Sequence, residues 1–131
     1  MGKFEGARIL VVEDHPTMRD AMRLVLEGEG FAIDEASDGD SALEMVRADP
    51  PDLVFLDLNI PGVSGTDVLR ALKGDPATAA VSVIIVTATG EEGRERVIRL
   101  GADEYFTKPF SPTALLRTVE RVLAGGATQG A

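Results

Sequence analysis

The 131-residue sequence has no cysteine and no tryptophan, and only one histidine and one tyrosine. Without cysteine, disulfide bonds and thiolate metal sites are excluded. A zinc site would have only His15 as an imidazole ligand and would need three carboxylate or water ligands beside it, a set that zinc sites rarely use. Any metal site in this chain is therefore expected to hold a hard cation through oxygen atoms.

Basic charge is also scarce. Thirteen Lys and Arg residues stand against 22 Asp and Glu residues, for a formal net charge of −9, and no basic run occurs. Such a surface repels phosphate backbones, so we expect no direct binding to nucleic acid. No apolar stretch approaches the length of a membrane span, and the amino terminus lacks the apolar core of a signal peptide. These absences predict a cytoplasmic protein with no membrane partner.

What the sequence does contain is an alternation of short apolar runs and amphipathic stretches. The runs are Ile9–Val12, Phe31–Ile33, Leu53–Leu56, Val83–Val86 and Tyr105–Phe106. Three of them are continuous apolar segments of strand length, typical of strands buried on both faces. The pattern predicts an α/β fold, with a five-stranded parallel sheet, right-handed crossovers and five helices on the two faces.

Helix signals follow each run. Apolar residues at helical spacing begin at Met18 and end near Gly28 or Gly30, and a second stripe around Ala42 ends before Pro50-Pro51. Ser64 is a predicted N-cap of the third helix, and Ser111 with Pro112 predicts the start of the fifth. The fourth helix is expected to start late, because Gly90 and Gly93 disfavour helix. Length fits one domain, predicted over 7–123, with flexible termini at 1–6 and 124–131.

Polar residues stand where the predicted strands end. Glu13-Asp14 follow the first strand, Asp57 the third, Thr87 the fourth and Lys108-Pro109 the fifth. Because the carboxyl ends of parallel strands meet at one edge, these groups should lie together. Crowded carboxylates need a cation, and oxygen ligands of that charge fit Mg²⁺.

The same edge predicts phosphoryl chemistry. An aspartate can act as a nucleophile and form an aspartyl phosphate, and Asp57 is the best candidate because it follows a buried strand. Lys108 would offset charge on a phosphoryl oxygen, and Thr87 would donate a hydrogen bond to another. A cis Lys108–Pro109 bond is predicted, since a tight turn must direct Lys108 back to the site.

Four stretches together make the chain resemble the response-regulator receiver family, from about Ala7 to Leu123. They are Ile9–Pro16, Pro51–Gly62, Val83–Ala88 and Gly101–Phe110. The resemblance implies a flavodoxin-like sheet order 2-1-3-4-5 and a signalling switch rather than an enzyme, with only self-phosphorylation and self-dephosphorylation. One departure is visible, because the spacing from Thr87 to Lys108 is about one residue shorter than in the family.

The resemblance also implies residue roles. Asp57 would accept a phosphoryl group from a sensor histidine kinase or a histidine phosphotransfer protein, with catalytic help from Lys108 and Thr87. Mg²⁺ would be held by Glu13, Asp14, Asp57 and the backbone carbonyl of Asn59. Thr87 and Tyr105 would form a switch pair. Residues corresponding to Asn59 and Thr89 would tune the lifetime of the phosphorylated state.

Output is expected through a partner. No effector domain follows in this sequence, so the signal would pass to another protein by way of the fourth helix, fifth strand and fifth helix.

Several residues keep a simpler interpretation. Asp14 could cap the first helix as well as bind metal, and Tyr105 could be a packing residue of a short strand. His15 is expected to be a solvent-facing loop residue, neither a ligand nor a phosphoacceptor. Some arginines could be either solvated helix faces or a partner surface: Arg94, Arg96, Arg99, Arg117 and Arg121.

Two other functions compete with the switch. A phosphatase of the haloacid-dehalogenase type also uses Asp, Mg²⁺ and Lys, but it needs a second acid two residues beyond the nucleophile. That position holds Asn59, which cannot exchange a proton at neutral pH. A binding scaffold without phosphoryl chemistry is the other alternative, and the complete acidic set with Lys108 argues against it.

Overall fold

The computed structural model of the chain describes residue 4 and residues 6–125. In this part of the chain strands and helices alternate as predicted. The elements are β1 (Arg8–Val12), α1 (Pro16–Glu27), β2 (Ala32–Ala36), α2 (Gly39–Ala48), β3 (Leu53–Leu56), α3 (Gly65–Gly74), β4 (Ser82–Thr87), α4 (Arg94–Arg99), β5 (Glu104–Thr107) and α5 (Pro112–Leu123). The strands form one parallel sheet in the order β2-β1-β3-β4-β5. The predicted fold class and strand order are confirmed.

Helices cover both faces of this sheet. Alternate residues of β1, β3 and β4 point to opposite sides, as strand geometry requires. One face packs on α1 and α5, through residues such as Phe55, Leu26 and Val119. The other packs on α2, α3 and Val97 of α4, through residues such as Leu56. Because β1, β3 and β4 are buried on both faces, their sequences are almost uninterrupted apolar runs.

Local signals set most helix boundaries. The Ser64 hydroxyl accepts a hydrogen bond from the Asp67 amide, and the Ser111 hydroxyl accepts one from Ala114. Both predicted N-caps are therefore confirmed, and α1 ends at Glu27 with Gly28, one of the two predicted stops, as its C-cap residue. Helix α4 is short and begins only at Arg94, after Gly90 and Gly93 with positive φ. The predicted late start of α4 is confirmed. Glycine adopts positive φ without steric cost, so these two glycines allow the non-helical turn that precedes the helix.

The second strand differs from its prediction. The apolar run suggested Phe31–Ile33, but β2 begins at Ala32 and continues through Asp34 and Glu35 to Ala36. In the described part of the chain it is an edge strand, which pairs with β1 on one side. An edge strand can alternate exposed polar residues with buried ones, so its apolar run is shorter than the strand.

The predicted flexible termini fall largely outside the described residues, which exclude 1–3, 5 and 126–131. Their flexibility and the domain limits 7–123 stay predictions. Among the helices that the structure describes, none has the length and apolar character needed to cross a membrane.

Candidate functional site

Asp57 lies at the carboxyl end of the central strand β3. Its amide donates to the carbonyl of Val12 at 3.2 Å, which places it beside the end of β1. The residue is only 5% exposed. Its carboxylate accepts a hydrogen bond from the Asn59 amide at 3.0 Å through Oδ1 and one from Lys108 Nζ at 2.9 Å through Oδ2. The turn after the strand thus holds the carboxylate in one orientation.

Gly65, the first residue of α3, packs directly under this turn. A Cβ placed on Gly65 would lie 2.3 Å from the backbone oxygen of Asp57 and 2.6 Å from Cα of Leu58. Such distances are too short for any side chain, so only glycine lets the helix approach the site this closely.

Gly65→Ala is therefore expected to destabilise the protein by roughly 1–3 kcal/mol, the usual cost of forcing an extra carbon into a packed region. Gly74→Ala is a matched control at the other end of α3, where a Cβ meets nothing within 4 Å. Urea unfolding of both variants measures the difference. Equal unfolding free energies would contradict the account of Gly65.

Lys108 joins two of the carboxylates. Its amide donates to the Thr87 carbonyl at 2.8 Å, and the Lys108–Pro109 peptide is cis, as predicted. Its Nζ donates to Glu13 Oε1 at 2.7 Å and to Asp57 Oδ2 at 2.9 Å. The expected proximity of Lys108 and Asp57 is confirmed, and the nearly buried Glu13 is a second partner of the same ammonium.

Asp14 is placed differently from Glu13. Asp14 is exposed, and His15 is the exposed N-cap residue of α1 with no side-chain cap, so Asp14 does not cap that helix. In the described part of the chain, the potential ligand atoms of Glu13, Asp14 and His15 lie within 4.8 Å of one another. Asp57 is outside this group and is paired with Lys108 instead. The Asn59 carbonyl as a ligand stays a prediction.

The structure adds Arg19, which sequence reasoning missed. Its Nη1 donates to the Glu13 backbone carbonyl at 2.8 Å, and its Nε donates to Glu35 at 2.9 Å. Arg19 thus ties α1 to the ends of β1 and β2. On the sequence it is one of many helix arginines, so only the fold could distinguish it.

The environment of Lys108 affects its titration. Burial disfavours the charged ammonium, but the hydrogen bonds to Glu13 and Asp57 outweigh it, so the pKa of Lys108 is raised. A raised folded-state pKa stabilises the protein fully below the unfolded value of about 10.4 and loses this contribution as pH rises through the folded value.

In metal-free buffer, the difference in unfolding free energy between wild type and Lys108→Met should therefore be constant near neutral pH and should shrink above about pH 10.4. Urea unfolding across the alkaline range measures it. A difference that grows with alkaline pH would have the wrong sign for this pairing.

Thr87 is fully buried at the end of β4. Its hydroxyl lies 3.2 Å from the Thr89 hydroxyl and accepts a long contact of 3.4 Å from the Asn59 side-chain amide. Asn59 itself is exposed. It connects Asp57 to Thr87, because its backbone amide bonds the Asp57 carboxylate and its side-chain amide contacts the Thr87 hydroxyl. The structure brings these residues together at the same sheet edge.

Tyr105 lies farther along, on β5. The residue is 2% exposed, and its hydroxyl proton is shared between the carbonyls of Gly90 at 2.7 Å and Glu92 at 2.9 Å. These carbonyls belong to the turn of residues 88–93, which connects Thr87 to α4. Tyr105 is thus both a packed core residue and a tether of this turn, while its switch role stays a prediction.

The donor set fits a magnesium ion. Glu13 and Asp57 supply two nearly buried carboxylates, and Asp14 adds an exposed one next to Glu13. An oxygen-rich, partly open set of this charge is what Mg²⁺ prefers, because that ion keeps several waters. The Lys108 ammonium, which pairs with Glu13 and Asp57, balances part of the negative charge of these carboxylates.

Comparison with known proteins decides the family. The model of the response regulator receiver domain matches residues 9–120. The chain belongs to the response regulator receiver domain family. Phosphorylation-dependent signalling in two-component systems is therefore its function.

Relatives of this receiver domain include longer regulators. It is 44% identical over 117 residues to the phosphate regulon transcriptional regulatory protein PhoB of Escherichia coli, covering 88% of this chain and 51% of that protein. It is 42% identical over 120 residues to the sensory transduction protein RegX3 of Mycolicibacterium smegmatis, covering 91% of this chain and 51% of that protein. The receiver domain thus spans about half the length of these curated relatives.

Among solved structures, the receiver domain resembles that of the sensor histidine kinase PA1611 from Pseudomonas aeruginosa PAO1. The TM-score is 0.82 at 26% identity, with 92% of this chain and 98% of that chain covered. That structure has a magnesium ion coordinated in its active site cleft. Magnesium binding is therefore a property found within the family.

Proposed function

We propose that Asp57 is the phosphoryl acceptor of this receiver domain. The proposal rests on the Asp57 carboxylate. This carboxylate is nearly buried, and hydrogen bonds from the Asn59 amide and from Lys108 Nζ at 2.9 Å fix its orientation. A carboxylate held in this way at a sheet edge, with a lysine ammonium beside it, can act as a nucleophile.

The proposed reaction transfers a phosphoryl group to one Asp57 oxygen. That oxygen forms a bond to phosphorus while the bond from phosphorus to the donor breaks, and the donor keeps the electron pair. With phosphohistidine the leaving group is the imidazole nitrogen, and with acetyl phosphate it is acetate. Lys108 would move from the carboxylate toward a phosphoryl oxygen, and the Thr87 hydroxyl would donate to another.

Glu13, Asp14 and Asp57, with the Asn59 carbonyl, are the residues that we propose to hold Mg²⁺. When bound, the ion neutralises charge on the carboxylates and on the transferring oxygens. Arg19 keeps the Glu13 backbone in place for this purpose, through its hydrogen bond to the Glu13 carbonyl. We propose that the domain acts as a switch rather than as a phosphatase of the haloacid-dehalogenase type, because Asn59 offers no acid two residues beyond Asp57.

The proposed phosphoryl donor is a sensor histidine kinase or a histidine phosphotransfer protein. The proposed output surface is formed by α4, β5 and α5. On α4, Ile98 is a large apolar side chain with 38% of its area exposed, close in sequence to the exposed Arg96 and Arg99. Exposed apolar area with a charged surround is suited to protein recognition. We expect neither nucleic acid nor membrane to contact this domain directly.

Intact-mass measurement tests the proposal. Incubation with acetyl phosphate and Mg²⁺ is expected to add the mass of one phosphoryl group, and chelation of Mg²⁺ with EDTA is expected to suppress the addition. A chain that keeps its original mass under the first condition would refute the proposed chemistry. Equal addition in both conditions would refute the role of the metal.

A further inference from the structure

Arg94, the first residue of α4, contacts both the 88–93 turn and β5. Its guanidinium carbon lies 5.0 Å from the centre of the Tyr105 ring, within range of a cation–π interaction. Its Nη2 donates to the Tyr105 backbone carbonyl at 3.2 Å. Its Nε and Nη2 also pair with the two carboxylate oxygens of Glu91. We name the set Glu91, Arg94 and Tyr105 the Arg94 clamp.

The Arg94 clamp contacts the 88–93 turn, whose backbone has little other support. Gly90 and Gly93 both have positive φ, and no side chain caps α4. The Tyr105 hydroxyl holds the turn from the inside by its bonds to two carbonyls, and Arg94 holds it from the outside through Glu91. The hydrogen bond from Arg94 also lowers the pKa of Glu91 below its ordinary value.

The same turn begins at the phosphoryl site. Thr89 lies within the turn, and its hydroxyl is 3.2 Å from that of Thr87. Any movement of Thr87 and Thr89 toward Asp57 must therefore move the 88–93 turn. Whether α4 moves together with this turn depends on the contacts between them, and Arg94 makes those contacts.

We propose that Arg94 is a positioning residue, which ties α4 to Tyr105 and the 88–93 turn so that α4 follows the state of Asp57. This inference rests on the proposed function of Asp57. It assigns the link to one side chain with three kinds of contact rather than to α4 as a whole. By contrast, Arg99 of α4 has one ion pair within the described residues, to Glu95 on the same helix at 3.5 Å.

The matched variants are Arg94→Gln, Arg94→Lys and Arg99→Gln. Amide exchange at Val97 measures opening of the α4 start, because its N–H donates to the Gly93 carbonyl at 3.1 Å. In the absence of metal and phosphate, Arg94→Gln should speed Val97 exchange by about fivefold, since a cation–π contact and its hydrogen bonds are lost. Arg94→Lys, which keeps the charge over the ring, should fall between, and Arg99→Gln should match wild type.

A further amide separates local opening from general instability. The Ala42 N–H donates to the Asp38 carbonyl at 3.1 Å at the start of α2, a helix that the Arg94 clamp does not contact. Its exchange should be the same in wild type and Arg94→Gln. Equal acceleration at Val97 and Ala42, or unchanged exchange at Val97, would overturn the clamp.

The second comparison adds acetyl phosphate and Mg²⁺. Wild type should change its Val97 exchange on phosphorylation, whereas Arg94→Gln should take up the same phosphoryl mass without that change. A phosphorylation-dependent change of equal size in both proteins would overturn the proposal. If wild type takes up no phosphoryl mass, the proposed function of Asp57 is wrong, and so is the proposed coupling of α4 to Asp57. The exchange measurements without phosphate would still test whether Arg94 holds the start of α4.

Discussion

Asp57→Asn is expected to abolish phosphoryl uptake from acetyl phosphate. Asparagine keeps the shape of the side chain, but its single amide oxygen can accept only one of the two hydrogen bonds that Asp57 accepts from Asn59 and Lys108. Its amide is not a nucleophile at neutral pH. Intact mass after incubation with Mg²⁺ measures the loss. Asp52→Asn is the matched control, because Asp52 directly precedes β3, at the opposite end of the strand from Asp57, and bonds the Arg8 amide. It should be phosphorylated like wild type, and persistent uptake by Asp57→Asn would exclude Asp57 as the acceptor.

The same variant should respond less to metal. Removing one carboxylate from the edge lowers the charge that attracts Mg²⁺, so the rise in melting temperature on adding Mg²⁺ should be smaller than in wild type. Its metal-free stability should stay within about 1 kcal/mol of wild type, because the Lys108–Glu13 pair remains. A structural cap would behave differently, since its loss lowers stability equally with and without metal.

Lys108→Met is expected to have the largest effect on stability. The Lys108 side chain is 15% exposed, and its carboxylate partners on Glu13 and Asp57 are 2% and 6% exposed. Removing the ammonium leaves two nearly buried charges without their cation, and breaking a buried pair in this way costs roughly 3–5 kcal/mol. Urea unfolding in EDTA measures the loss, and added Mg²⁺ should recover part of it by binding the freed carboxylates.

Lys73→Met is the matched control for this recovery. Lys73 donates to the carbonyls of Ala79 and Val81 and lies away from the acidic edge. Lys73→Met should also destabilise the protein, but adding Mg²⁺ should raise its unfolding free energy by no more than it raises that of wild type. Equal recovery in both lysine variants would mean that Lys108 is not the counter-ion of the metal-binding carboxylates.

Much of the fold could be predicted from the sequence because its signals are local. Strands buried on both faces must be continuously apolar, which located β1, β3 and β4 closely, and side-chain caps located the starts of α3 and α5. The edge strand β2 could not be located as well, because burial on one side leaves polar residues within it.

The candidate site was predictable where residues directly follow strands. Asp57 and Lys108 meet because parallel strands end at one edge, and this follows from topology alone. Arg19 and Arg94 could not be predicted in the same way, because each lies on a helix and contacts a different element of the fold, so no strand end marks its position. Their partners, the Glu13 carbonyl and the Tyr105 ring, become neighbours only in the folded chain.

The most direct test of Asp57 as the acceptor is to locate the phosphoryl group on the chain. Wild-type protein is phosphorylated with acetyl phosphate and Mg²⁺, and the acyl phosphate is reduced with borohydride, which converts the modified aspartate to homoserine. Fragmentation mass spectrometry of the peptides should then find homoserine at position 57 and aspartate at positions 14 and 52. Homoserine at position 14 or 52, with unmodified aspartate at 57, would contradict the assignment of Asp57.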